Sequence, residues 1–332
     1  MSYKPPFTIT TEIVDLISKI SLQVGLVQRD FMQASPQLRK KNRIKTITGT
    51  LAIEGNTLDE EQITDLLEGK KILATKKEIA EVKGAIDAYD QLNQLNPNSL
   101  DDLLKAHKLM MHNVIVEAGS FRKKPVGVYK DKQLIHTAPP ANRVMQLITD
   151  LLYWQQHSGD HPLIVSSVFH YEFEYIHPFM DGNGRMGRLW QTLILSQWQS
   201  LFMDLPLESI IKQHQQDYYD ALASSDKASN STEFIHFMLQ AILKTLNKNA
   251  PLNVLLNAPV NTPVNDIIDN KSMKTPEAII ALIQNNPEIT RQQMAQFINK
   301  DIRTIGRAIK KLQEQNKLKR IGSDKTGHWQ LL

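Results

Sequence analysis

Across the first 248 residues of this chain, apolar side chains recur at intervals of three and four, and that period leaves little room for anything except helices packed on helices. The repeat runs through 12–32, 59–68, 76–94, 99–117, 140–157, 162–176, 185–199 and 231–247. A helix with one apolar stripe must bury it against another element, so the expected fold is mainly α, a helical bundle. Local signals agree with the periods. Ser99 followed by Asp101 and Asp102 supplies a cap and an acidic first turn before LLKAHKLMMHNVI, and Pro139-Pro140 suits the opening of the next helix. One segment departs from the pattern. In FRKKPVGVYKDKQLIHT (121–137), β-branched residues flank the polar tip YKDKQ, which predicts a short β-hairpin, a candidate flap.

The pattern stops at 249–272, NAPLNVLLNAPVNTPVNDIIDNKS, where prolines and asparagines replace helical periodicity and a linker is expected. Beyond it come a helix at 275–285, a second opened by Thr290 (TRQQMAQFI) and a third over 301–316. KLKRIGSDKTGHWQLL then reads as two strands around a glycine-containing wing, giving the order of a winged helix-turn-helix at 273–332. Charge follows the same division. The net charge of +4 hides 12 Lys/Arg against 5 Asp/Glu in residues 271–332, so only the C-terminal part is basic. Such a surface suits nucleic acid, and a solvated charged face suits it equally. With 301–311 as the recognition helix, Arg303, Arg307, Lys310 and Lys311 would face phosphates or base edges, joined on the wing by Lys319, Arg320 and Lys325.

Several chemistries are excluded outright. Without cysteine, the chain has no disulfides, thiolate nucleophiles or cysteine zinc sites. No apolar run reaches the roughly 18 residues of a membrane span, and the N-terminus lacks the parts of a secretory signal, so a cytoplasmic protein is expected. Any catalysis must rest on oxygen and nitrogen, and one stretch gathers suitable groups. In FEYIHPFMDGNGRMGRLWQTLIL a helix ends, His177 and Pro178 open a turn, and Gly182-Asn183-Gly184 leads directly into another helix. The glycines let backbone N–H groups converge, and the helix that follows adds unpaired donors and a positive dipole end, which is an anion cradle suited to a polyphosphate. Arg185 and Arg188 share a face of the first turn and would present two guanidinium forks to successive phosphates. Asp181 offers one hard oxygen ligand beside them, as magnesium sites usually do, and His177 is a proton acceptor near neutral pH.

The string HPFMDGNGRMGR matches, at every specified position, the motif His-x-Phe-x-(Asp/Glu)-Gly-Asn-Gly-Arg-x-x-Arg of the Fic family, and the chain resembles that family over about 45–240. The resemblance implies a protein adenylyltransferase, with ATP as substrate and Mg2+ as cofactor, that leaves AMP on a Ser, Thr or Tyr hydroxyl of a target protein or of itself. By carry-over His177 is the base, Asp181 holds magnesium, Gly182, Asn183 and Gly184 hold the α- and β-phosphates, Arg185 the β region and Arg188 the γ-phosphate. Phe179 would anchor the loop in the core. The hairpin resembles the family's flap, with Val128, Tyr129, Lys130, Asp131, Leu134 and Ile135 docking the target backbone as an added strand. Gly182 and Gly184 favour AMP transfer over the phosphate transfer of a relative that carries Ala and Lys in the loop; phosphocholine donors rank below ATP.

Upstream, Thr50-Leu51-Ala52-Ile53-Glu54-Gly55-Asn56 resembles the family's inhibitory motif, which implies an inhibitory helix around 43–54. Thr50 and Glu54 share a helical face, and the Glu54 carboxylate would pair with Arg188 and remove it from the γ-phosphate. The same carboxylate could orient water for removal of AMP, and a DNA-binding regulator that merely retains the core is a further alternative. The expected organisation is N-terminal helices at 1–40, a catalytic domain at 41–248, the linker and the winged helix. ATP, a hydroxyl-bearing target protein, DNA and a homodimer partner are the candidate partners; a membrane is not. His170 is expected to be structural, His136 has no supporting spacing rule, and His107 and His112 lack metal-site spacing. Trp154, Trp190, Met110 and Met111 are expected in the core.

Overall fold

A computed structural model describes residues 3–32, 36–130, 133–249, 275–285, 287, 289–298, 300–315, 317–322 and 327–331. The chain divides into two compact units, Met1–Asn249 and Ala250–Leu332. The first contains α1 (Thr11–Met32), α2 (Pro36–Ile53), α3 (Glu60–Leu67), α4 (Lys76–Asp90), α5 (Leu100–Met111), α6 (Val144–His157), α7 (Pro162–Ile176), α8 (Asn183–Trp198), α9 (Leu207–Gln213), α10 (Gln215–Ala228) and α11 (Thr232–Asn249). Helices α7 and α8 form the central hairpin, buried along most of their lengths, with α6 and α11 against α7. Their central position encloses polar residues together with apolar ones, His170 and Glu172 on α7 and Arg185, Arg188 and Gln191 on α8. Around them α1 pairs with α11, α2 with α9 and α4 with α5. The Cβ atom of any other residue at Gly49 would stand 2.8 Å from the Glu208 backbone, so the close approach of α2 to α9 requires glycine there.

Caps fix several starts. Asp59 with Gln62, and Thr75 with Glu78, form reciprocal capping boxes at α3 and α4, Ser99 accepts from the Asp102 N–H at α5, and Pro162 stands at the opening of α7. The helix expected over 99–117 ends sooner, at Met111. The chain then folds back so that the Gly119 N–H donates to His107 Nδ1, 2.9 Å away. The helix expected over 140–157 opens with a 3-10 turn, Ala141–Arg143. Three helices, α2, α9 and α10, lie outside the periodic segments. Helix α2 runs through residue 40 without a break, and α1 packs on α11, so the expected N-terminal helices belong to the same unit as the bundle.

The hairpin consists of β1 (Gly127–Lys130) and β2 (Gln133–Thr137), antiparallel, pairing Gly127 with Thr137 and Lys130 with Gln133, with a register shift between Val128 and Tyr129. The side chains of Val128, Tyr129, Lys130, Leu134, Ile135 and His136, and the whole of Asp131, lie outside the described residues, as does the expected linker after Asn249.

In the second unit, helices Thr275–Asn285, Arg291–Phe297 and Ile302–Glu314 precede an antiparallel pair, β3 (Leu318–Ile321) and β4 (His328–Leu331). Thr290 and Asp301 cap the second and third helices by accepting from the Gln293 and Thr304 N–H groups. Ile279, Ile283, Met294, Ile305, Ile309 and Trp329 form the core, and Trp329 Nε1 donates to the Ile289 carbonyl at 2.8 Å. This is a winged helix-turn-helix.

Candidate active site

The loop between α7 and α8 is built from two interruptions of helical geometry. His177 ends α7 in the left-handed region (φ 50°, ψ 60°), a conformation that costs a non-glycine residue about 1–2 kcal/mol and persists only where its surroundings impose it. Arg122 imposes it. From a buried position its Nε donates to the His177 carbonyl at 2.7 Å, while its Nη atoms reach the carbonyls of Ile176 (3.3 Å), Lys124 (3.1 Å) and Pro139 (2.6 Å). Its own N–H donates to the Pro178 carbonyl at 2.9 Å. Gly182 is the second interruption, at φ 85° and ψ 9° immediately before α8. A Cβ there would stand 2.8 Å from Met111 Sδ, so both backbone angle and space call for glycine.

Between these points Phe179 is fully buried and stacks on His107, with centroids 3.6 Å apart and planes at 4°. His107 Nδ1 accepts from Gly119, which leaves the proton on Nε2 to donate to the Asp181 carbonyl at 3.0 Å. Burial lowers the pKa of His107 to about 4, so the ring stays neutral while it holds the loop. Asn183 turns back on the same loop: its Oδ1 accepts from the Phe179 N–H (2.9 Å) and its Nδ2 donates to the Phe179 carbonyl (3.0 Å). Its side chain therefore shapes the cradle, and the backbone at the start of α8 is left to face an anion.

Arg185 and Arg188 are both about 2% exposed. Arg188 is enclosed by α2: its Nε donates to Thr50 Oγ1 (3.0 Å), and its Nη2 donates to the Thr50 carbonyl (3.1 Å) and to Glu54 Oε1 (2.7 Å). Burial alone would lower the pKa of this guanidinium; Glu54, Tyr218 and Glu174 around it together outweigh that and raise it. Glu54 stands in the turn just after α2, its side chain 30% exposed. A Cβ built on Gly184 would lie 2.5 Å from Glu54 Oε1 and 3.0 Å from Arg188 Nη1, so the carboxylate rests on the glycine at the N-terminus of α8. The Glu54 carboxylate thus occupies an anion position that the loop itself creates. Arg185 Nη2 donates to Asp181 Oδ1 at 3.1 Å, and its Nη1 faces Glu81 Oε1 on α4 at 3.5 Å.

Over the whole chain, the crystal structure of a Fic family protein from Desulfovibrio desulfuricans G20 is similar to this one, with a TM-score of 0.72 and 37% identity, covering 99% of this chain and 98% of that one. The chain belongs to the Fic family. The Fic/DOC family model matches residues 97–195, and a model described as winged helix-turn-helix DNA-binding matches 274–319. Proteins named protein adenylyltransferase Fic are similar to this chain in Culex quinquefasciatus, with 31% identity over 219 residues (63% of this chain, 42% of that protein). The Aedes aegypti protein of that name shares 29% over 229 residues (66% of this chain, 44% of that protein). The chain spans less than half the length of these two relatives. Fic-1 from C. elegans, at 24% identity and a TM-score of 0.59 over 71% of this chain, shares the fold.

In this Fic domain the structure brings Thr50, Glu54, Arg188 and Gly184 together, and Asp181 with Arg185. His177 is half-buried at the other end of the same loop. His170 is buried away from solvent, with Nδ1 2.7 Å from Gln191 Oε1 and Nε2 3.1 Å from the Tyr218 hydroxyl; burial lowers its pKa to about 3. Asp181 keeps a side chain 43% exposed, and among the described residues no cluster of three or more His, Asp or Glu could hold a metal by protein ligands alone. One exposed carboxylate beside a phosphate cradle is nevertheless the donor set magnesium uses when it arrives with a nucleotide. Arg122, His107 and Glu81 are the site residues that sequence reasoning missed. Arg122 lies in a basic run, FRKKP, that reads as solvated, and His107 lacks metal spacing, so neither carries a local signal. No helix among the described residues is long and apolar enough to cross a membrane.

Proposed function

We propose that this chain transfers AMP from ATP to hydroxyl side chains of a target protein and of itself, and that Glu54 holds it inactive. The observation that carries this is the Glu54 carboxylate lying 2.7 Å from Arg188 and against Gly184. An internal anion in the cradle is most simply a stand-in for the phosphate that must displace it.

In the working state the backbone N–H groups at Gly182–Gly184 and the dipole of α8 take the α- and β-phosphates, Arg185 the β region and Arg188 the γ-phosphate. His177 accepts the proton of the incoming hydroxyl, whose oxygen bonds to the α-phosphorus as the bond to the bridging oxygen breaks and pyrophosphate leaves. Magnesium held by Asp181 would neutralise charge on the leaving group. Phe179, Asn183, His107 and Arg122 fix the loop that holds these groups. The hairpin backbone offers an edge on which an extended target segment adds as a strand and sets its hydroxyl in line.

The test incubates wild-type, Glu54→Gly and His177→Ala proteins with magnesium and ATP and records intact mass. An added AMP group that increases in Glu54→Gly and vanishes in His177→Ala is expected. Absence of AMP from all three, with purified candidate targets also unlabelled, would remove the proposal.

A second function is supported by the C-terminal unit, where Arg303, Arg307, Lys310 and Lys311 are exposed along helix Ile302–Glu314 and Lys319 is exposed on β3. We read this as a DNA-binding face that directs the enzyme or represses a gene.

A further inference from the structure

The latch on Arg188 leaves the surroundings of Arg185 unexplained. This guanidinium is as buried as that of Arg188, yet among the described residues its Nε and Nη1 have no hydrogen-bond partner. Only one corner is tied, through Nη2 to Asp181 Oδ1. What holds the rest is charge: Glu81 Oε1 lies 3.5 Å from Nη1, too far for a good hydrogen bond and near enough to orient the group electrostatically. Glu81 is itself 8% exposed, and its other oxygen, Oε2, accepts from Asn56 Nδ2 at 2.9 Å. Asn56 stands two residues beyond Glu54 in the same turn, which Gly55 makes possible with φ 88°. The Asn56 N–H donates to the Leu51 carbonyl (3.1 Å), its Oδ1 accepts from the Leu58 N–H (3.1 Å), and its Nδ2 also reaches the Glu78 carbonyl (3.3 Å).

We infer that Glu81 is a positioning residue for Arg185, and that Asn56 makes its setting depend on the turn that carries Glu54. This rests on the nucleotide site proposed above. With Asn56 bonded to Oε2, Oε1 is left facing Arg185, with the exposed Lys77 ammonium farther off at 3.9 Å, and the guanidinium nitrogens Nε and Nη1 remain to donate to an anion at the start of α8. When the turn at Glu54-Gly55-Asn56 moves, Arg188 loses a carboxylate and Glu81 loses the amide that fixes its rotamer. A single turn thereby acts on both arginines of the loop, directly on one and through Glu81 on the other.

The experiment measures the Kd for magnesium-ATP by calorimetry in the Glu54→Gly, His177→Ala protein, where the latch is absent and turnover is suppressed. Adding Glu81→Gln is expected to weaken binding about tenfold, as loss of an outer partner that orients a ligand commonly does. Asn56→Ala is expected to weaken it less, and to add nothing once Glu81→Gln is present. In an Arg185→Ala version of the same protein, Glu81→Gln should have no effect on Kd. A lower melting temperature with Kd unchanged would mean that Glu81 only pins α4 to its neighbours, and would overturn the inference. So would an equal effect with and without Arg185. If Glu81→Gln does not fold, Asn56→Ala against Arg185→Ala carries the same comparison. Failure of the parent protein to bind ATP would instead take down the nucleotide site, and this inference with it.

Discussion

Replacing Glu54 by glycine is the most informative perturbation, because its size follows from the geometry. The Glu54–Arg188 contact is a charge-assisted hydrogen bond of 2.7 Å between a buried guanidinium and a carboxylate 30% exposed. Bonds to charged groups contribute about 1.5–3 kcal/mol net, and the exposure of Glu54 places this one near the lower end, about 1.5–2 kcal/mol. A ligand that must displace the carboxylate loses that amount, and at about 1.4 kcal/mol per tenfold the proposed latch would weaken ATP binding about 10- to 30-fold. Glu54→Gly should recover that factor. Arg188 stays in place meanwhile, since Thr50 still accepts from its Nε and Nη2. Calorimetric titration with magnesium-ATP in a His177→Ala background measures the Kd without turnover. Glu54→Gln, which keeps the shape and removes the charge, should fall between the two. Affinities of Glu54→Gly and its parent within twofold of each other would refute the latch, and Glu54→Gln binding ATP no better than the parent would refute its electrostatic origin.

Glu172 is buried beside Tyr3, whose hydroxyl donates to it at 2.5 Å, and burial raises its pKa to about 6. A carboxyl raised in the folded state contributes stability below its unfolded pKa that is lost as pH rises through the folded value. Urea unfolding of wild-type protein should therefore weaken by about 2 kcal/mol relative to Glu172→Gln between pH 4.5 and 7, and a flat difference would contradict this. Arg122→Ala should destabilise the helical unit by about 3 kcal/mol, because it removes the donors to four carbonyls, that of Ile176 buried and those of His177, Lys124 and Pro139 partly so, and releases the strained His177 backbone; thermal unfolding within 1 °C of wild type would exclude that role. For the winged helix, replacing Arg303, Arg307, Lys310 and Lys311 by Ala should reduce the slope of log affinity against log salt on duplex DNA by about one for each phosphate left unneutralised, measured by fluorescence anisotropy. An unchanged slope would place the DNA-binding face elsewhere.

Most helices of the fold were legible from apolar periodicity, and α2 was not. Helix α2 buries Asn42, Thr46, Gly49 and Thr50 together with Ile44, Ile47, Leu51 and Ile53, so polar and apolar residues are enclosed alike and no clean period survives. Its presence was suggested only by the resemblance around Thr50 and Glu54. The short α9 is pressed against it for the same reason, with Glu208 buried and accepting from the Tyr89 hydroxyl at 2.8 Å. The loop was legible because every group in it follows from local sequence: glycine for backbone angle, arginines one turn apart, a histidine at the helix end.

Its supports were hidden because they arrive from far along the chain and use ordinary residues. Glu81 looks like one more acid on an amphipathic helix, Asn56 like a turn residue, Arg122 like part of a basic run. What distinguishes them is burial combined with what they touch. A charged side chain enclosed this thoroughly is retained only with compensating partners, and here those partners are the loop's own backbone, its Arg185 and the Asn56 amide. The loop motif specifies which groups can meet a phosphate. In the reading proposed above, whether they are free to do so depends on contacts between residues 50–56 and residues 184–188, more than a hundred positions apart; the resemblance supplied the pairing of Glu54 with Arg188, while the support of Arg185 by Glu81 and Asn56 emerged only from the fold.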